Sequence, residues 1–174
     1  MKAAIVGGGV IGGGWASRFL LNGWDVSVFD PDPQSERKMQ GMLSNARRSL
    51  PSLYDFKLPN EGNLNFCDNL EEAVKNVEWI QESVPERLEI KQEVYKEIQK
   101  YCKKNTILAS STSGFKPSEL NEGASRPEQI LVCHPFNPVY LLPLAEVVPS
   151  KKTNSSIVKE CSKLLNQIGM KPLL

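Results

Sequence analysis

A chain of 174 residues is long enough for one compact domain with a real core and too short for two large ones. Its 21 basic and 20 acidic residues leave a net charge of +1, which gives no field for capturing nucleic acid or an anionic membrane surface. No apolar run approaches the roughly 20 residues of a membrane span, and the first strand begins too soon after Met1 for a signal peptide, so a cytoplasmic protein is expected.

From the amino terminus, Lys2–Val6 reads as a short apolar strand, followed by a glycine turn that opens a helix running to about Asn22. Asp25–Phe29 is a second strand and Pro33 to about Ser49 a second helix. Pro51–Gly62 is an irregular surface loop. Leu64–Phe66 and Val77–Ile80 read as further strands, with a short helix from about Asn69 between them. Glu86–Lys103 places Leu88, Ile90, Val94, Tyr95 and Ile98 on one helical face. Thr106–Ser110, Gln129–Cys133 and Leu144–Val148 complete the strands, and Asn154–Gln167 is a last amphipathic helix. Strands alternating with helices predict an α/β fold of the Rossmann type, doubly wound, with a mostly parallel sheet and helices on both faces. Met170–Leu174 ends on apolar residues as though a strand were cut short, so the chain reads as the first domain of a longer protein. Cys67, Cys102, Cys133 and Cys161 are widely scattered without a Cys-x-x-Cys pair, and read as reduced thiols rather than a disulfide frame or a zinc site; no metal is expected.

The first turn, Gly7-Gly8-Gly9-Val10-Ile11-Gly12, carries the spacing Gly7-x-Gly9-x-x-Gly12 between an apolar strand and a helix. In that setting Gly7 permits the turn, Gly9 admits a pyrophosphate against the backbone, and Gly12 lets the helix lie close on the strand. Val10 and Ile11 belong to the helix N-terminus whose free N–H groups favour the phosphates. Asp30 ends the second strand about twenty residues on, where an acid accepts hydrogen bonds from the adenosine ribose. A 2′-phosphate would meet Asp30 and Asp32 with no adjacent arginine, so NAD is expected as cofactor rather than NADP.

The only histidine, His134, lies in His134-Pro135-Phe136-Asn137-Pro138 after the apolar run Ile130–Cys133, which sets it at the carboxyl end of a buried strand. An alcohol dehydrogenase needs a base for the hydroxyl proton, and His134 offers one, with Glu146 as a partner for its second ring nitrogen and Ser113 as a hydrogen-bond donor to the reacting oxygen. Taken singly, His134 equally suits a satisfied strand-end histidine, Glu146 a solvated carboxylate and Ser113 ordinary turn chemistry.

Together Gly7–Gly14, Asp30, Ser110–Ser113, His134–Pro138 and Glu146 resemble the NAD-binding domain of the 3-hydroxyacyl-CoA dehydrogenase superfamily over essentially the whole chain. The resemblance implies His134 as general base, Glu146 as its orienting partner and Ser113 at the substrate oxygen. It also implies nicotinamide-side contacts from Glu86, Lys91, Ser113 and Asn137; outside it, Glu86 and Lys91 read as a helix-start acid and a solvated lysine. A fourth catalytic group, a helical second domain and a homodimer through that domain are implied beyond Leu174. Within the family, Ser110-Ser111-Thr112-Ser113 and His134-Pro135-Phe136 depart from the Ser-Asn-Thr-Ser and His-Phe-Phe of acyl-CoA members and resemble the carnitine-oxidising branch. Phe115, Phe136 and Tyr140 are then candidates for holding a quaternary ammonium, and Arg47, Arg48 and Lys57 for coenzyme A phosphates if the substrate is a 3-hydroxyacyl-CoA. A non-enzymatic NAD-binding relative is the third alternative.

Overall fold

A computed structural model describes residues 1–174. In chain order the elements are β1 (Lys2–Val6), α1 (Val10–Leu21), β2 (Asp25–Phe29), α2 (Ser35–Ser49), β3 (Leu64–Phe66), α3 (Leu70–Val74), β4 (Trp79–Glu82), α4 (Leu88–Tyr101), β5 (Ile107–Ser110), α5 (Pro117–Leu120), β6 (Ile130–Pro135), β7 (Leu144–Pro149), α6 (Ser155–Gln167) and β8 (Lys171–Leu173). The strands form one sheet in the order β3-β2-β1-β4-β5-β6-β7-β8. All neighbours are parallel except β6 and β7, so the expected mostly parallel, doubly wound sheet is present. No helix is long and apolar enough to cross a membrane.

Side chains of a strand point alternately to its two faces, and β1 divides accordingly. Ala3 and Ile5 join a core with α1, α2 and α6, centred on Trp15, Phe19, Trp24 and Trp79. Ala4 and Val6 join a second core with α3 and α4, through Val74, Tyr95 and Ile98. Helix starts follow local chemistry: Asn69 accepts from the Glu72 N–H at 2.8 Å and Asn154 from the Ser156 N–H at 2.9 Å, satisfying donors that the first turn leaves free.

β4, α4 and α5 differ most from expectation, beside two-residue shifts at the start of α2 (Ser35, not Pro33) and the end of β6 (Pro135, not Cys133). β4 runs Trp79–Glu82, two residues later than Val77–Ile80, because its last two residues are polar yet fully buried, Gln81 and Glu82 both having hydrogen-bond partners inside the protein. α4 begins at Leu88 rather than Glu86, since the Glu86 carboxylate is engaged by the backbone of residues 113 and 114. The short α5 was not anticipated; Pro117 starts it and Glu119 closes back on the Lys116 N–H at 2.8 Å. The last apolar residues do pair as a strand, β8 against β7.

Arg18 is fully buried on α1, and its guanidinium donates to the carbonyls of Ile168 (2.9 Å), Tyr140 (3.1 Å) and Gly169 (2.5 Å). It ties α1 to the loop after β6 and to the end of α6. Arg18→Met would leave three carbonyls without their donor, at about 1–3 kcal/mol for each that stays dry. Urea unfolding is expected to show a stability loss of about 3–5 kcal/mol as a lower midpoint with an unchanged slope.

Candidate active site

The strand order reverses between β1 and β4, and in such sheets ligands occupy the crevice beyond the carboxyl ends of the strands. A cavity of about 610 Å³ lies there, lined by Val6, Gly7, Gly9, Phe29, Asp30 and Ser83 among others. Gly7 has φ +98°, and a Cβ there would lie 2.6 Å from the Ser83 carbonyl group, so only glycine fits. At Gly12 a Cβ would strike the Gly7 carbonyl oxygen, which is how closely α1 approaches β1. Gly9 is the N-cap of α1, with no side-chain cap and no acid in the first turn, so the helix N-terminus is open to an anion. The Asp30 carboxylate accepts from the Gly8 N–H at 2.5 Å and the Asp32 N–H at 2.7 Å, which fixes it at the end of β2 beside the cavity. Glycine turn, open helix start and fixed acid together suit a dinucleotide. A second cavity of about 500 Å³ opens on the other side of Gly9, bounded by Val10, Met42, Asn45, Asn137 and Tyr140.

On the other half of the sheet, β6 and β7 bring His134 and Glu146 directly opposite each other. The His134 Nδ1 lies 2.9 Å from the Glu146 Oε2, so the ring is held by one nitrogen and Nε2 is left free. Both side chains are part-exposed, at 28% and 43%. Glu146, which read alone as a solvated carboxylate, therefore has a defined partner. Ser113 lies exposed on the turn after β5, and its N–H donates to the Glu86 Oε1 at 3.2 Å. The same oxygen accepts from the Gly114 N–H at 3.2 Å and from the Thr112 hydroxyl. Burial pushes the Glu86 carboxyl upward, but the Thr112 hydrogen bond and the Lys91 ammonium outweigh it, and the group sits below the ordinary carboxylate range. Lys91 corrects the reading of a solvated lysine: its side chain is 1% exposed, with Nζ 2.8 Å from the Glu82 Oε1 and 3.2 Å from the Glu86 Oε2. Asn137 is exposed at the mouth, beside the second cavity.

The three aromatics do not converge. Phe115 packs on the α3–α4 core and Tyr140 on the opposite one, while Phe136 stays 39% exposed with its ring centre 5.9 Å from that of His134. Glu82, and the bonds that Tyr95, Ser110 and Thr112 make to it and to Glu86, were not read from the sequence. The available signal was an acid ending an apolar strand, with a lysine nine residues later.

The sheet order, glycine turn and fixed acid define a nucleotide-binding domain of the Rossmann class, here with a histidine–carboxylate pair beside the crevice. Residues 2–174 match the family model of the 3-hydroxyacyl-CoA dehydrogenase NAD-binding domain, and the chain belongs to that family, with NAD as cofactor. It is 61% identical to an L-carnitine dehydrogenase/betainyl-CoA thioesterase of Ruegeria pomeroyi over 98% of this chain and 35% of that protein. It is 47% identical to an L-carnitine dehydrogenase of Mesorhizobium japonicum over 99% of this chain and 48% of that protein. The chain thus spans about a third to a half of the length of these curated relatives. Among solved structures, the NAD⁺-dependent 5-formyl-3-hydroxy-2-methylpyridine 4-carboxylic acid 5-dehydrogenase superposes with a TM-score of 0.90 at 32% identity, over 99% of this chain and 56% of that one.

Proposed function

We propose that residues 1–174 are the cofactor domain of a longer NAD-dependent dehydrogenase that oxidises the 3-hydroxyl of L-carnitine to 3-dehydrocarnitine. The observation that carries this reading is the His134–Glu146 contact of 2.9 Å, which leaves Nε2 free at the open end of the sheet. In the proposed reaction His134 takes the hydroxyl proton, and Glu146 holds the opposite N–H and favours the imidazolium as it forms. Ser113 donates to the reacting oxygen. Bound NAD supplies the hydride acceptor. Glu86, Lys91 and Asn137 orient its nicotinamide end, Gly7, Gly9, Val10, Ile11 and Gly12 hold the pyrophosphate at the α1 N-terminus, and Asp30 holds the adenosine ribose. The rest of the protein supplies the fourth catalytic group, the helices that close over substrate and the homodimer contact, in a cytoplasmic enzyme.

Charge favours carnitine over a thioester. At the mouth the part-exposed carboxylates of Glu86 and Glu146 face solvent, while the Lys91 ammonium is buried between Glu86 and the buried Glu82. That field attracts a trimethylammonium and repels the phosphates of coenzyme A. Two of the basic residues available to those phosphates are engaged elsewhere: Arg47 pairs with Glu61 at 2.7 Å and Arg48 bonds Asn45 at 2.5 Å. NADH formation by the full-length protein, compared for L-carnitine and 3-hydroxybutyryl-CoA, tests the reading. We expect kcat/KM for carnitine to be higher by about 100-fold or more. Turnover of the thioester alone would overturn it.

A further inference from the structure

Behind the proposed nicotinamide contacts lies a buried polar cluster that the proton chemistry does not use. Glu82 ends β4 with no exposed surface, yet four donors surround it. Its Oε1 accepts from the Lys91 Nζ at 2.8 Å and the Val84 N–H at 2.9 Å, and its Oε2 from the Tyr95 hydroxyl at 2.5 Å and the Ser110 hydroxyl at 2.6 Å. Four donors fill the carboxylate's main acceptor directions, so it has little freedom to rotate. Burial and the Glu82 charge hold the Tyr95 phenol well above its ordinary range, so it stays a hydroxyl donor.

The cluster reaches the Ser113 turn in two ways: Ser110 Oγ accepts from the Thr112 N–H at 3.2 Å, and Lys91 carries the charged connection. Lys91 bridges Glu82 to Glu86, and Glu86 gathers the Thr112 hydroxyl and the N–H groups of Ser113 and Gly114. The charged line therefore runs from Glu82 on β4, through the Lys91 ammonium, to Glu86 and the turn that carries Ser113, beside the neutral Ser110–Thr112 bond. A buried lysine held by a single half-exposed carboxylate would keep a choice of positions; a second, immobile carboxylate removes that choice.

We infer that Glu82, braced by Tyr95 and Ser110, is a positioning residue that locks Lys91 and, through Glu86, sets the Ser113 turn for the nicotinamide end of the cofactor. The inference rests on the proposed roles of Glu86, Lys91 and Ser113. It does not depend on which alcohol is oxidised.

The test is a double-mutant cycle in the full-length protein, pairing Glu82→Gln with Glu86→Gln and reading NADH affinity by titration without any alcohol present. Glu82→Gln alone is expected to weaken NADH by about tenfold, the lower end of what losing an outer hydrogen-bond partner costs a binding site. If Glu82 acts through Lys91 and Glu86, the double variant will bind NADH within about twofold of Glu86→Gln alone. Effects that multiply in the double variant would overturn the inference. So would a lower melting temperature with NADH affinity unchanged, the result expected of a purely structural residue. Should Glu82→Gln not fold, Tyr95→Phe replaces it in the cycle under the same criteria, since it removes one hydroxyl and keeps the ring. Loss of carnitine turnover bears on the proposed substrate and leaves the NADH cycle to be judged separately.

Discussion

His134→Ala in the full-length protein is expected to lower kcat for the alcohol by about 10²–10⁴-fold while NADH affinity stays within about twofold. The split follows from geometry. His134 stands on β6, on the far side of β4 and β5 from the Asp30 cavity, and none of its ring atoms lines that cavity. Removing it takes away the proposed proton acceptor and leaves the glycine turn and Asp30 untouched. Glu146→Gln is expected to be milder, because an amide at the same place still bonds Nδ1 but no longer favours the charged ring. Steady-state kinetics beside NADH titration checks both. Unchanged turnover in His134→Ala would remove the histidine from the mechanism, and an equal loss of NADH binding would show a structural role instead.

The second large effect is expected at the glycine turn, where two substitutions of one methyl each should fail differently. Gly12→Ala drives a Cβ into the Gly7 carbonyl oxygen, with the Ile5 side chain 3.0 Å away, so α1 has to move off β1. Overpacking of this kind costs about 1–3 kcal/mol or more, and displacing the helix N-terminus should weaken NAD by about 100-fold. Gly9→Ala meets nothing within 4 Å, and its φ of −67° and ψ of −164° suit alanine. Its melting temperature should hardly change, yet NAD should still bind more weakly, because the methyl occupies space the pyrophosphate needs. Thermal unfolding and NAD titration on the two variants separate packing from cofactor approach. If Gly9→Ala bound NAD normally, the pyrophosphate would not lie against that backbone.

The two halves of the molecule were legible to different degrees. The cofactor half follows from local rules: an apolar strand, glycines at fixed spacing and an acid about twenty residues on each constrain backbone only a few residues away. The strand–helix alternation belongs to the same kind of information, and the order of elements was read from it with small errors in their ends. The error at β4 fell where polar residues are buried, Gln81 and Glu82, because hydropathy assigns such residues to the surface unless their partners are known. Lys91 is the plainest instance: on a helix surface it reads as solvated, and only Glu82 and Glu86, brought in from β4 and the turn that follows it, account for its burial.

By itself, then, the chain's sequence determined the Rossmann-type fold, the dinucleotide turn with Asp30, and the candidate set His134, Glu146 and Ser113. Tertiary structure alone decided that His134 and Glu146 are cross-strand neighbours, that the aromatics divide between two cores, and that a buried Glu82 braces the lysine behind the site. The physical reason is range. Turn geometry and helix periodicity act over a few residues, whereas each of these pairings depends on strand register or on which face of the sheet a helix covers, and those are set only once the whole sheet has closed its core.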